Sequence, residues 1–166
     1  SYVIEWESGA MGDDNAADIL NGGAGNDRIR SSGQGVYDGQ GGNDYIYAAS
    51  GTPETLRGGA GTDMLDTTSF SGDYRVDLAS GATNYAGESF IQFENLRAGS
   101  GDDTLLGTND RNVMQGGNGD DRISGRDGND SLYGQNGDDY LGGGSGNDYM
   151  RGGNDNDRMS GHGGND

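Results

Sequence analysis

The residues of this chain best placed to do chemistry are its aspartates. There are 23 Asp against five Glu, and all ten basic side chains are arginine. The formal net charge is −18 over 166 residues, 36 of which are glycine. Short carboxylates set among glycines belong in tight turns, where they present hard oxygen donors suited to a cation such as Ca²⁺. The same charge argues against nucleic acid or an anionic membrane surface as a partner. Other chemistries lack their parts. Cysteine is absent, which removes thiolate zinc sites, disulfides and thiol catalysis. His162 is the only histidine and occupies a variable position, so a catalytic triad or a histidine zinc site has no components. Glu5 and Glu7 flank Trp6 with the spacing of surface acids on one face of a strand, which is the preferred reading over a glycosidase pair. No apolar run reaches membrane-spanning length, and no cleavable signal peptide is visible.

These aspartates recur with a period. From Ala98 onward the chain reads in nines: AGSGDDTLL, GTNDRNVMQ, GGNGDDRIS, GRDGNDSLY, GQNGDDYLG, GGSGNDYMR, GGNDNDRMS and the broken GHGGND. Position six carries Asp103, Asn112, Asp121, Asp130, Asp139, Asp148, Asp157 and Asp166. Position eight carries Leu105, Met114, Ile123, Leu132, Leu141, Met150 and Met159. Two columns held in one phase mark a repeat architecture, not a disordered acidic linker.

Upstream the unit is less regular. GGAGNDRIR (22–30), GQGGNDYIY (39–47) and GGAGTDMLD (58–66) are clear copies, with Asp27, Asp44 and Asp63 at position six. Asp63 closes this run. DDNAADILN (13–21) reads as a degenerate first copy. The spacings of 17 and 19 residues between clear copies predict distorted turns, one of them holding Pro53. The chain thus divides into an N-terminal cap or edge (1–12, with Tyr2, Val3, Ile4 and Trp6), irregular repeats (13–66), a departing segment (67–97) and regular repeats (98–166). Within 67–97, YRVDLAS alternates like a strand, and SFIQFENLR stays in phase with Leu96 at position eight. Irregular coils of the same stack are the preferred reading of this segment; a separating loop or subdomain is the alternative.

Each nonapeptide divides into a six-residue turn and a three-residue strand. Strand residues alternate out, in, out, so position eight points inward and forms a thin apolar seam. Positions seven and nine carry Arg28, Arg122, Arg158, Arg151, Tyr45, Tyr133, Tyr140 and Tyr149, which suit an outer face. Glycines at positions one, two and four permit left-handed or close-packed backbone whose carbonyls can turn toward an ion. One apolar side chain per nine residues falls well short of the entropy of ordering them, and the unpaired carboxylates add repulsion. Metal binding answers both deficits.

The glycine-aspartate nonapeptide resembles the Ca²⁺-binding repeat of RTX (repeats-in-toxin) proteins. The stretch FENLRAGSGDDTLLGTNDRNVMQGG is also similar to C-terminal domains of serralysin-type secreted proteins. The protease motif HExxH is absent, so that activity does not carry over. The resemblance implies an all-β fold, a parallel β-roll (a right-handed β-helix) with two nonapeptides per 18-residue coil. It implies ions between turns stacked on successive coils, about six to eight in all. Gly117, Gly119 and Asp121 would then face Gly134, Asn136 and Asp139 across one ion. Gly144, Gly146 and Asp148 would face Gly161, Gly163 and Asp166 across another. The remaining implied ligands downstream are Gly99, Gly101, Asp103, Asn112, Gly116, Gly125, Gly128, Asp130, Gly137, Gly143, Gly152, Asn154 and Asp157. Upstream they are Gly23, Gly25 and Asp27, Gly39, Gly41 and Asp44, and Gly58 and Asp63.

The family further implies a non-catalytic folding module of a protein secreted by a Gram-negative bacterium through type I secretion machinery. The alternative is an adhesin, surface-layer or polysaccharide-binding module, such as those attached to alginate epimerases. The chain starts at Ser1 without Met and stops in mid-repeat, and the expectation is an excerpt of a longer secreted protease, lipase or epimerase.

Overall fold

A computed structural model describes residues 3–5, 18–50 and 53–166. Trp6, Glu7 and most of the degenerate first copy lie outside the described residues. Among the described residues the regular elements are all strands. In order they are β1 (Val3–Glu5), β2 (Asp18–Ala24), β3 (Arg28–Arg30), β4 (Gly35–Gly41), β5 (Tyr45–Tyr47) and β6 (Glu54–Arg57). Then come β7 (Met64–Asp66), β8 (Arg75–Asp77), β9 (Ala82–Thr83), β10 (Ser89–Ile91), β11 (Asn95–Arg97) and β12 (Thr104–Leu106). Last are β13 (Val113–Asn118), β14 (Arg122–Asp127), β15 (Ser131–Asn136), β16 (Tyr140–Ser145), β17 (Tyr149–Asn154) and β18 (Arg158–Gly163).

Apart from β8, β9 and β10, which lie in one sheet, successive strands alternate between two sheets. One has eight strands in the order β1-β3-β5-β7-β11-β13-β15-β17. The other has ten, in the order β18-β16-β14-β12-β8-β9-β10-β6-β4-β2. Downstream, the register follows the repeat: Met114 pairs with Leu132 and Leu132 with Met150 in the first sheet, Ile123 with Leu141 in the second. The result is a parallel β-solenoid of about eight turns, matching the RTX β-roll.

Position eight forms the seam between the sheets. Ile29, Ile46, Leu65, Leu96, Met114 and Leu132 from the first sheet are completely buried. So are Val76, Leu105, Ile123 and Leu141 from the second. At the end of the stack the seam opens, and Met159 is 54% exposed.

Two features differ from the sequence reading. The regular strands β13 to β18 are six residues long and the turns shorter than expected. Parallel pairing runs on through positions one to three, as where Gly117 pairs with Gln135 and Asn118 with Asn136. Nor is the outer face uniformly exposed. Tyr45 is half-buried; its hydroxyl donates to the buried Asp66, and Arg97 donates to the Tyr45 oxygen at 3.2 Å.

Residues 67–97 are shared unequally between the sheets. The first sheet continues through them in parallel register, Leu65 pairing with Leu96 and Leu96 with Met114. The second takes up the surplus chain as a meander, in which the two-residue β9 pairs antiparallel with both β8 and β10. Phe70, Tyr74, Phe90 and Phe93 fill the wider core beneath it. The coil-to-coil separation here is 31 residues between Asp63 and Glu94, yet the edge they share stays continuous.

Candidate metal centre

The turns joining the two sheets stack into two edges. On the edge where the chain passes from the ten-stranded to the eight-stranded sheet, position six holds Asp27, Asp44, Asp63, Glu94, Asn112, Asp130, Asp148 and Asp166. On the other edge the column is Asp103, Asp121, Asp139 and Asp157. From Asp27 through Asp148 the aspartates of both columns are sealed in the turns, and Asn112 is fully buried. Asp157 is half-buried and Asp166 exposed, as the last turns of the stack.

One carboxylate oxygen of most position-six residues is committed to the fold. The backbone N–H of Asp121 donates to Asp139 Oδ1 at 2.8 Å, and that of Asp139 to Asp157 Oδ1 at 3.1 Å. The N–H of Asp130 donates to Asp148 Oδ1 at 2.9 Å, and that of Asp44 to Asp63 Oδ1 at 2.7 Å. The second oxygen is left over. Oδ2 of Asp44, Asp63, Asp121, Asp130, Asp139 and Asp148 is shut off from solvent without a hydrogen-bond partner. Among the described residues the arginine ion pairs go to Asp38, Asp66 and Asp77, none of which is in a column.

The position-one glycines show where these oxygens gather. A Cβ on Gly125 would overlap Asp130 Oδ2 and stand 2.6 Å from the carbonyl oxygen of Gly143 on the next coil. A Cβ on Gly22 would stand 2.9 Å from both Asp27 Oδ2 and the Gly39 carbonyl oxygen. Glycine is needed at position one because oxygens crowd the space, not because φ is positive. Position four is different: Gly119 has φ 117°, and a Cβ would collide with the Gly101 carbonyl above it. Position two is also left-handed, and a Cβ on Gly117 or Gly144 would collide with a carbonyl of the preceding coil, yet Arg126, Gln135 and His162 occupy this position with φ of 77°, 92° and 68°.

This donor set is what a hard cation requires. Among the described residues no three acidic or histidine side chains converge, so side chains alone do not make a site. Pairs of stacked carboxylates supplemented by turn carbonyls do meet the demand of Ca²⁺ for many oxygens. The position-three carbonyls of Gly41, Asn136 and Gly163 each accept one backbone N–H, from Gly25, Gly119 and Gly146, and keep a second lone pair. The structure therefore stacks Asp121 on Asp139 and Asp148 on Asp166, as the sequence reading paired them. Upstream it places Asp27, Asp44 and Asp63 on one edge only. The opposite edge at that level has Ser31, whose Oγ accepts the N–H of Ala49 at 2.7 Å.

Three residues or sets were missed. Glu94 takes position six below Asp63, accepting its N–H at 2.7 Å, so Asp63 does not end its column. The signal was present: SFIQFENLR is in phase, and Glu94 is its sixth residue. Position five forms a second ladder of opposite sense, with Asp138 N–H donating to Asp120 Oδ1 and Asn147 N–H to Asn129 Oδ1. Asn or Asp recurs there, at Asn26, Asn43, Asp102, Asp120, Asn129, Asp138, Asn147, Asn156 and Asn165. Asn112 also does more than lack a charge. Its Nδ2 donates to the Glu94 carbonyl at 2.6 Å and to Thr108 Oγ1 at 3.0 Å, while its Oδ1 accepts Thr108 N–H at 2.7 Å. An amide closes this turn with protein hydrogen bonds.

Burial raises the column carboxyls from their ordinary value of 3.8. It holds Asp121 up to about 7, with Asp103 and Asp139 adding to the rise. It holds Asp103 up to about 7, Asp63 up to about 6 and Asp130 up to about 6. The metal-free turns thus bear their charge poorly.

These features together define a calcium-binding parallel β-solenoid. A family model of the RTX calcium-binding nonapeptide repeat matches residues 12–34 and 37–52 and, in overlapping copies, 97–132, 106–141, 115–150 and 133–166. These spans cover well over half of the chain, and the chain belongs to the RTX calcium-binding repeat family. No curated protein matches it.

Two outcomes are expected. At limiting calcium in a crystal, ion density between Asn112 and Asp130 should be weaker than between Asp121 and Asp139. Equal density would mean that the amide and its hydrogen bonds do not displace a ligand. The second concerns pH without metal. A carboxyl whose folded pKa lies above its unfolded one stabilises the fold fully below the unfolded value and loses that contribution as pH rises through the folded value. For Asp121 and Asp103 the window runs from 3.8 to about 7. In chelator, β structure measured by circular dichroism should therefore increase as pH falls from about 7 toward 4, and calcium affinity should fall over the same range.

Proposed function

We propose that this chain is a calcium-triggered folding module, non-catalytic in itself, of a protein secreted by a Gram-negative bacterium. The observation that carries this reading is the set of sealed, unpartnered Oδ2 atoms along both edges. A stacked fold that buries carboxylates without counter-ions is self-opposed until cations neutralise them. Calcium, when bound, supplies that positive charge and the oxygen coordination the turns leave open. Each turn contributes half of a site, so stacking and ion binding are one cooperative event.

Low cytosolic calcium would keep such a chain open, and millimolar calcium outside the cell would close it. That suits type I secretion, which passes an unfolded chain. About six to eight ions would be taken up, in keeping with the number of stacked turns. Among the described residues no helix is long and apolar enough to cross a membrane.

The test is circular dichroism in EGTA and then in Ca²⁺. The chain should be largely unfolded first and gain β structure cooperatively, and Mg²⁺ should substitute poorly because it demands strict octahedral coordination. A spectrum unchanged by calcium would remove this reading.

A second reading, a polysaccharide- or cell-surface-binding module, is favoured by one feature. A groove of about 340 Å³ on the outer face is lined by Gln115, Tyr133, Gln135, Asn136, Arg151 and Asn154. Tyr133 packs against Tyr149 with ring centroids 5.9 Å apart, an aromatic surface beside amide donors. If this reading holds, the calcium-loaded module should be retained on an immobilised polysaccharide, and Arg151→Ala should weaken retention while leaving the calcium-induced spectrum intact.

A further inference from the structure

A ladder of neutral amides runs along position three, where β13, β15 and β17 end in Asn118, Asn136 and Asn154. Asn136 Nδ2 donates to Asn118 Oδ1 at 2.8 Å and Asn154 Nδ2 to Asn136 Oδ1 at 2.6 Å. Asn118 Nδ2 donates to Ser100 Oγ at 3.3 Å. All three asparagines are exposed. Two of them are followed by glycine, Gly119 and Gly137, whereas Asn154 is followed by Asp155.

An Asn-Gly pair can modify itself. The glycine nitrogen attacks the asparagine Cγ, a C–N bond forms, the Cγ–Nδ2 bond breaks and ammonia leaves with the proton. Water then opens the resulting succinimide at either carbonyl, giving aspartate or isoaspartate. Glycine favours the reaction because it has no side chain to shield its nitrogen or restrict its backbone. The stack opposes it at both reacting atoms. The Gly119 N–H donates to the Asn136 carbonyl at 2.9 Å, and the Asn118 N–H to the Gly99 carbonyl at 3.0 Å. The nucleophile thus lies in the plane of the sheet, while the side chain stands off that plane with its amide tied to another coil. Asn136 is tied on both sides, and a Cβ on Gly137, at φ 126°, would collide with the Gly119 carbonyl, so this backbone cannot turn without leaving its neighbour.

We propose that Asn118-Gly119 and Asn136-Gly137 are deamidation sites, reactive in the open chain and shut off by stacking. Either product lacks the amide donor of the ladder. Isoaspartate also threads the main chain through an extra carbon, in a turn that must return in register every 18 residues. Deamidation therefore marks chains that have stayed unfolded and hinders their stacking. The third such pair, Asn21-Gly22, lies in β2 at the end of its sheet, and among the described residues the Asn21 side chain joins no ladder.

The test incubates the chain at mildly alkaline pH in guanidinium chloride, in calcium and in EGTA. Circular dichroism reports folding, and peptide mass mapping reports conversion at each asparagine. In guanidinium chloride Asn21, Asn118 and Asn136 should convert and Asn154 should not. Wherever β structure is present, Asn118 and Asn136 should convert at least about tenfold more slowly, because the sheet must open first, and Asn21 should lead them. Equal rates in folded and denatured chains, or Asn154 keeping pace with Asn136 when denatured, overturn the proposal. So does a folded chain in which Asn21 is the slowest of the three. Converted chains returned to calcium should regain less β structure than unconverted ones, and full regain overturns the hindrance. In EGTA the rates should match the denatured ones if calcium holds the stack. Protection in EGTA together with an unchanged spectrum would support the sites while removing the calcium-triggered reading, so the two stand or fall separately.

Discussion

The interaction on which everything else rests is between stacked carboxylates and the turn of the adjacent coil. Asp44, Asp63, Asp121, Asp130, Asp139 and Asp148 each spend one oxygen on a backbone N–H, as Asp139 does for Asp121, and bury the other. The first bond sets the register between coils. The second oxygen makes that register dependent on a cation. On the proposed reading stacking and ion binding go together, because so thin an apolar seam offsets little of the entropy of ordering the chain.

The glycines follow from the same constraint. At Gly125 a carboxylate oxygen and a carbonyl from the next coil meet where a side chain would begin. At Gly119 the backbone of one turn lies directly on that of another. Position two is left-handed as well, and residues as large as Arg126 and Gln135 accept it there. At positions one and four glycine is demanded by the close approach of neighbouring coils. The exposed Asn and Asp of position five complete the arrangement, running a ladder in the reverse sense along the outside of each edge.

Much of this was legible in the residues. A repeat fixes the distance along the chain at which equivalent atoms return, so the 18-residue coil, the inward position eight and the stacking of Asp121 on Asp139 could be read directly. Glu94 was readable by phase but hidden by its type, since a longer acid in a segment without turn glycines does not resemble the unit. The position-five ladder was hidden differently: Asn and Asp in a turn are explained locally, and only the 18-residue hydrogen bonds show that they reach across coils. The length of the regular strands was also misjudged, because glycine at positions one to three suggests turn, whereas the neighbouring coils draw it into the sheets.

By itself the sequence determined the unit, its period, the seam and the chemistry of the donors, because each depends on residue types at fixed separations. Tertiary structure alone decided how the irregular parts fit. It routed 67–97 through one sheet as a single strand and through the middle of the other as a meander. It brought Glu54 beside Glu88, which lie 34 residues apart. It also turned Asn112 into a hydrogen-bonding closure by setting the Glu94 carbonyl above its amide. Such contacts depend on which coil lies against which, and no local spacing encodes that.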